Sequence, residues 1–320
     1  MKYRELKYVP LHVSEIVFGC AGEKMLRGEN VDDLLDKAID LGITTFDTAE
    51  NYGKSEIVLG DWIRRRKNRK DIVIISKGCH PYDGINRVNP ECLKQDLDQS
   101  FERLGTDFID IYFLHRDDPE EPVGEIMEVL NDYHRAGKIG AFGGSNWTVK
   151  RIIEANEYAK YHDLIPMTVS SPNYSLCRQI KDPWGGGPGG VTITGPENKE
   201  ARNWYEKEGI PVFSHSCLGR GMLSGKVKSD DPEGAKKLLD EFAIKGFYAT
   251  ENFERLRRAE ELAEKKGATV SKIAIAWCLN QSLNVFPIMS CSTAERIKEN
   301  CDASDVVLTE EEMKWLNLEK

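Results

Sequence analysis

Four side chains capable of acid–base chemistry stand at the ends of apolar runs. Asp47 closes TTFD, Lys77 follows IVIIS, His115 follows IDIYFL, and Tyr52 lies a few residues beyond Asp47. On adjoining strands of one rim they would meet in space, with Asp47 and Lys77 paired while Tyr52 and His115 face a shared pocket. Such a group suits proton transfer. It also suits a Lys77 amine acting as a nucleophile toward a carbonyl. Each residue alone has a plainer explanation, because strand ends are often polar, a lone histidine is usually structural and a buried Lys–Asp couple can be a simple ion pair. Their joint occurrence is what points to a site. Ser145 and Asn146 end a further run, and Ser214, His215 and Ser216 end another.

The elements that must position these groups follow a regular order. From Ile16 onward, short β-branched or aromatic runs alternate with longer stretches whose apolar residues recur at helical spacing. The strand-like runs are IVFG (16–19), TTFD (44–47), IVIIS (72–76), IDIYFL (109–114), IGAFGGS (139–145), MTVS (167–170), IPVFS (210–214) and VFPIM (285–289). Helical stretches begin near Val31, Ser55, Pro90, Pro122, Thr148, Glu197 and Val270, with another over 251–266. Eight such units in series predict an α/β chain forming one (β/α)8 TIM barrel, a single domain over 1–320. In that architecture chemistry gathers on the loops after the strand C-termini, where the polar residues fall. YREL and VPLHV predict an N-terminal β-hairpin at the lower end, and 293–300 and 310–317 predict C-terminal extra helices. Asn30 is placed to cap the helix starting at Val31, and Gly42 to end it. The basic run from Arg64 to Lys70 reads as a solvated helix terminus, where positive charge is favoured.

Composition excludes several function classes. With 53 acidic against 44 basic residues, the net charge of -9 opposes extended contact with phosphate backbones or anionic lipid. No nucleic acid or membrane partner is expected. The N-terminus lacks the apolar core of a signal peptide and no window approaches a membrane span, so a cytoplasmic location is expected. The eight cysteines show no metal-ligand spacing and read as reduced thiols, and no metal site is expected.

Several segments together resemble the aldo-keto reductase superfamily over nearly the whole chain. GITTFDTAENYGKSEIVLG looks like the family's signature with its catalytic Asp (Asp47) and Tyr (Tyr52). IISKG would supply the Lys (Lys77) and IDIYFLHR the His (His115). GRGMLSGK resembles the loop over the cofactor pyrophosphate, and AERIKEN the adenosine-binding segment. The resemblance implies an NADP(H)-dependent carbonyl reductase acting on a small-molecule carbonyl substrate. Tyr52 would protonate the carbonyl oxygen, Lys77 would favour the phenolate and make Tyr52 a better acid, Asp47 would hold Lys77, and His115 would orient the carbonyl.

It further implies that Ser145 and Asn146 hydrogen-bond the nicotinamide carboxamide, that Ser216, Leu218, Gly219 and Gly221 lie near the pyrophosphate, and that Arg296, Glu299 and Asn300 surround the adenosine. Arg296 could pair with a 2′-phosphate, favouring NADP(H) while leaving NAD(H) open. Three positions depart from the family pattern. Ser171 stands where many members have a glutamine, His215 where an aromatic ring usually stacks on the nicotinamide, and Ser290 where a lysine often meets the 2′-phosphate. A moderate preference for NADPH is therefore expected. Gly185, Gly187 and Gly190 satisfy G-x-G-x-x-G, but no strand precedes them, Pro188 removes a donor amide and VTIT follows, so this is not a dinucleotide fingerprint.

The stretch CRQIKDPWGGGPGGVTITGPEN is longer than an ordinary strand-to-helix connection and is expected to form a lid through Trp184. With Tyr82, Trp147, Arg116 and Asp117 on neighbouring loops, the mouth would suit sugar-like or other polar carbonyl compounds. Two other readings remain at this point. One is a cofactor-binding regulatory subunit with little turnover, as the potassium-channel β subunits of this superfamily illustrate. The other is a Schiff-base aldolase using Lys77. The oligomeric state is not legible.

Overall fold

A computed structural model describes residues 1–184 and 190–319. The glycines Gly185 and Gly187 and Pro188 of the rejected fingerprint lie outside them. Ten strands run in chain order among the described residues: β1 (Tyr3–Arg4), β2 (Val13–Ser14), β3 (Val17–Gly19), β4 (Thr45–Asp47), β5 (Val73–Gly78), β6 (Ile109–Leu114), β7 (Ile139–Ser145), β8 (Val169–Ser171), β9 (Val212–Ser214) and β10 (Val285–Met289). Strands β3 to β10 form a closed barrel in sequence order, β10 closing on β3. Parallel register sets apolar rungs opposite one another, Phe46 against Ile74, Ile75 against Ile111 and Ile111 against Ala141, all buried.

Helices alternate with these strands, and their ends carry the expected chemistry. Asn89 accepts from the Cys92 amide at 2.9 Å to start Pro90–Leu104, with proline at a first-turn position where no amide is needed. Thr148 caps Val149–Tyr161 in the same way. The chain resolves into two compact units. One comprises 1–171 and 290–294 and contains β1 to β8; the other comprises 172–184, 190–289 and 295–319 and contains β9 and β10.

Most boundaries agree with the sequence to within a residue or two, and the differences have local causes. The β8 run begins at Val169 rather than 167 because the Met167 amide bonds the Asn156 side chain at 2.8 Å. Strand β9 starts after Pro211, which has no amide to give. The N-terminal hairpin is narrower than YREL and VPLHV, pairing only Tyr3 with Ser14 and Arg4 with Val13. Asn30 stands one position early, its side chain accepting from the Asp32 amide at 2.8 Å while Val31 occupies the cap. Gly42 does end that helix, at φ 87°.

The basic run is the exposed C-terminal end of the helix Ser55–Arg66, as the sequence suggests, and its arginines also pair with neighbouring carboxylates. Arg65 grips Asp32 at 2.6 Å and Arg66 grips Asp36 at 2.6 Å on the preceding helix. Arg69 reaches the buried Asp110 at 2.7 Å and also the carbonyls of Ile72 and Phe108. Short helices at Glu23–Arg27, Pro232–Leu238 and Glu241–Phe247 lack enough turns to announce themselves by periodicity. Among the described residues no helix is long and apolar enough to cross a membrane.

Candidate active site

Asp47 is the last residue of β4, and the loop that follows is fixed by backbone bonds to the next strand. The Thr48 amide donates to Ile75 O and the Glu50 amide to Lys77 O, each at 2.8 Å. Thr48 Oγ1 donates to Ser55 Oγ, which donates to Cys20 O, so the start of the helix Ser55–Arg66 is tied to the end of β3. Gly53 makes the turn. Its φ is 51° and a Cβ there would sit 2.6 Å from Leu26 O, so a side chain is excluded on both counts. Tyr52 is thereby held on a loop with little freedom.

Lys77, on β5, brings its ammonium to 2.6 Å from Asp47 Oδ1, 2.8 Å from Thr48 O and 4.9 Å from the centre of the Tyr52 ring. Lys77 and Asp47 are each only 3% exposed, so neither charge could stand there alone. Burial alone would lower the lysine, but Asp47 and Tyr52 outweigh it and hold it above its usual value. Burial raises Asp47 while Lys77 pulls it back. At 2.6 Å the two form a buried ion pair.

At Tyr52 burial and the neighbouring cation act in opposite directions. Lys77 does draw the phenol down, but burial pushes it up more strongly, and the net shift is above the ordinary tyrosine value. Tyr52 therefore keeps its proton through neutral pH, and Lys77 limits how tightly it is held.

His115 follows β6, its amide bonded to Gly78 O at 2.7 Å, and its ring lies edge-on to Tyr52 with centroids 5.5 Å apart. Ser145 and Asn146 close β7. The Asn146 side chain donates to His115 O and to Ser145 Oγ, both at 3.2 Å, and Ser145 donates to Ser171 O at 3.2 Å. Asp47, Tyr52, Lys77, His115, Ser145, Asn146 and Ser171 all belong to the first unit.

The remaining cofactor candidates belong to the second unit. His215 follows β9 and its carbonyl accepts from Asn173 at 3.0 Å. The backbone beyond it is left-handed at Ser216, Gly219, Arg220 and Gly221, and Leu218 begins the tight turn. Gly219 has no room for a Cβ, which would lie 2.9 Å from Cys177. Arg296, Glu299 and Asn300 lie on the helix Ala294–Cys301, where Glu299 accepts from both Thr269 and Ser271 at 2.5 Å.

Of the substrate candidates, Tyr82 is 43% exposed and donates to Glu50 at 2.6 Å. Trp184 packs edge-on to His215 at 5.6 Å and lies under the Arg220 guanidinium at 5.8 Å. The described arms of its loop are anchored, with the Ile180 amide on Gly246 O at 2.8 Å and Arg178 on Glu251 at 3.1 Å. Trp147 is not an exposed aromatic. It is buried, its indole donates to Arg116 O at 2.9 Å, and Gly144 leaves the space it fills. Asp117 is likewise internal, paired with the buried Arg151 at 3.1 Å, and Arg116 is buried with its guanidinium on His115 O.

Sequence reasoning missed His80. Its ring stands edge-on to His115 at 5.0 Å and 6.3 Å from Tyr82. The available signal was its place in GCHPYDG, just past the end of β5 on the catalytic rim. Glu50, which receives Tyr82 and Arg103, was also passed over.

Comparison with known proteins places this geometry in context. The model of the aldo/keto reductase family matches residues 15–317. Aldo-keto reductase str7 of Strobilurus tenacellus is 29% identical over 316 residues, covering 94% of this chain and 87% of its own. Aldo-keto reductase yakc [NADP(+)] of Schizosaccharomyces pombe is 29% identical over the same length, with the same coverage of each chain.

Proposed function

Because the chain belongs to the aldo/keto reductase family, we propose that it reduces a small polar or sugar-like aldehyde or ketone with NADPH, Tyr52 giving the proton. The observation that carries this reading is the buried ammonium of Lys77, held by Asp47 at 2.6 Å and set 4.9 Å from the Tyr52 ring. NADP(H) as the cofactor is supported by the family and by the relative named for NADP(+). The residues present suit it. Left-handed backbone at Ser216 and from Gly219 to Gly221 gives the loop after β9 a tight turn suited to a pyrophosphate, and Asn146 and Ser145 offer amide and hydroxyl groups for a carboxamide.

When bound, NADPH supplies the hydride for the carbonyl carbon. Tyr52 and His115 orient the carbonyl oxygen between them, and Tyr52 passes its proton to that oxygen as charge builds there. Lys77 stabilises the phenolate left behind, and Asp47 keeps Lys77 in position. Ser171, His215, Leu218, Glu299 and Asn300 complete the proposed cofactor contacts, and Tyr82 the substrate side. A panel of hydroxyaldehydes and keto-sugars, followed by loss of NADPH absorbance, tests the reading; no consumption with any of them would count against it.

The Schiff-base reading is disfavoured by Lys77 itself. An amine nucleophile must shed its proton, and this one is held protonated by Asp47 in a buried site.

Two further outcomes are expected. Arg296→Ala raises the Kd for NADPH about tenfold or more while that for NADH moves much less, because only NADPH carries the 2′-phosphate a guanidinium grips. Fluorescence titration with each cofactor checks this, and equal losses would remove Arg296 from that role. Trp184→Ala is expected to raise KM for the best polar substrate. It should also weaken NADPH by about three- to tenfold, because the ring supports His215 and Arg220 and an edge-on aromatic contact is worth that much. Unchanged kinetics and cofactor titration would leave Trp184 as surface packing.

A further inference from the structure

Beyond Lys77 the rings form a file. Tyr52 meets His115 at 5.5 Å, His115 meets His80 at 5.0 Å, and His80 meets the half-exposed Tyr82 at 6.3 Å. The file runs outward from the proton donor toward solvent. His80 is the member whose chemistry is set by its backbone neighbour. Its Nδ1 lies 2.9 Å from Pro81 O, and a carbonyl oxygen can only accept, so Nδ1 carries the proton. In the neutral ring Nε2 is then a bare acceptor. Burial, followed by the charge of Arg116, lowers the His80 pKa and favours that neutral form. Among the described residues Nε2 has no protein hydrogen-bond partner, whereas the neighbouring Tyr82 hydroxyl is committed to Glu50.

We propose that His80 is a specificity-determining residue whose Nε2 accepts a hydrogen bond from a hydroxyl on the carbon next to the reacting carbonyl, so that the favoured substrates are α-hydroxy aldehydes and ketones. The inference rests on the reductase reading for the place of the carbonyl, between Tyr52 and His115. The adjacent carbon is the first position from which a substituent extends past His115 toward the next ring of the file. A methyl group there has nothing to give the acceptor, and an acceptor that loses its water on binding without gaining a donor is penalised.

Hydroxyacetone and butanone differ at that position by hydroxyl against methyl and are otherwise alike in shape. Wild type is expected to show kcat/KM for hydroxyacetone on the order of tenfold above butanone. His80→Phe, which keeps a ring but loses the acceptor, brings the ratio near one, mainly through KM for hydroxyacetone. His80→Gln, which restores an acceptor oxygen, recovers part of it. Saturation-transfer binding of the two ketones to the NADP+-loaded protein reads the same preference without turnover. Turnover of neither ketone with the binding preference intact would fault the reductase reading and support the hydroxyl acceptor. Equal binding of the two ketones to wild type, or a His80→Phe variant that keeps the preference, would overturn the proposal.

Discussion

Tyr52→Phe is expected to lower kcat for carbonyl reduction by about 100- to 10,000-fold, the usual worth of a positioned general acid, while the Kd for NADPH changes little. The substitution removes one oxygen and retains the ring that His115 and the Lys77 ammonium pack against. Fold and cofactor seat should therefore persist while the proton source is lost. Steady-state kinetics on the best substrate, paired with cofactor titration, separates the two effects. Near-normal turnover would mean that the proton comes from elsewhere.

Lys77→Met should be comparably damaging and should also reveal itself in the pH profile. Reduction consumes the protonated phenol, so the rate falls as pH rises through the Tyr52 pKa. Burial already sets that fall above the ordinary tyrosine value, and Lys77 holds it down. Without the ammonium the alkaline fall moves higher still, and the plateau beneath it is lower because the phenolate left after proton transfer has lost its counter-charge. The variant also leaves the buried Asp47 carboxylate without its cation, a loss of about 3–5 kcal/mol when one partner of a buried pair is removed. Adding Asp47→Asn to Lys77→Met should recover much of that stability in thermal unfolding without recovering activity. If the double variant regained turnover, Lys77 would be a structural ion-pair partner and no more.

The barrel was legible because eight short apolar runs alternate with stretches of helical periodicity. The four acid–base side chains were legible because the fold forces strand C-termini onto one rim. What escaped was set by contacts that no local pattern carries. Trp147 follows Asn146 on that rim and reads as an exposed aromatic, yet the bare Gly144 opens a slot that its ring fills. Arg69 belongs to a run that reads as solvated charge, yet a buried carboxylate on β6, Asp110, takes it. The direction of the Tyr52 shift depended on weighing burial against one nearby cation, and the degree of burial is a tertiary quantity. His80 was overlooked because a lone histidine after a strand is usually structural; only its ring spacing to His115 and its bond to Pro81 O distinguish it.

The most direct test of the account is to supply NADPH carrying deuterium at both C4 positions together with an α-hydroxy ketone, and to examine the product by NMR. One deuterium on the new carbinol carbon is expected, with a slower hydride step than with unlabelled NADPH and loss of product formation in Tyr52→Phe. A carbinol carbon without deuterium, or no alcohol formed while NADPH binds normally, would contradict it.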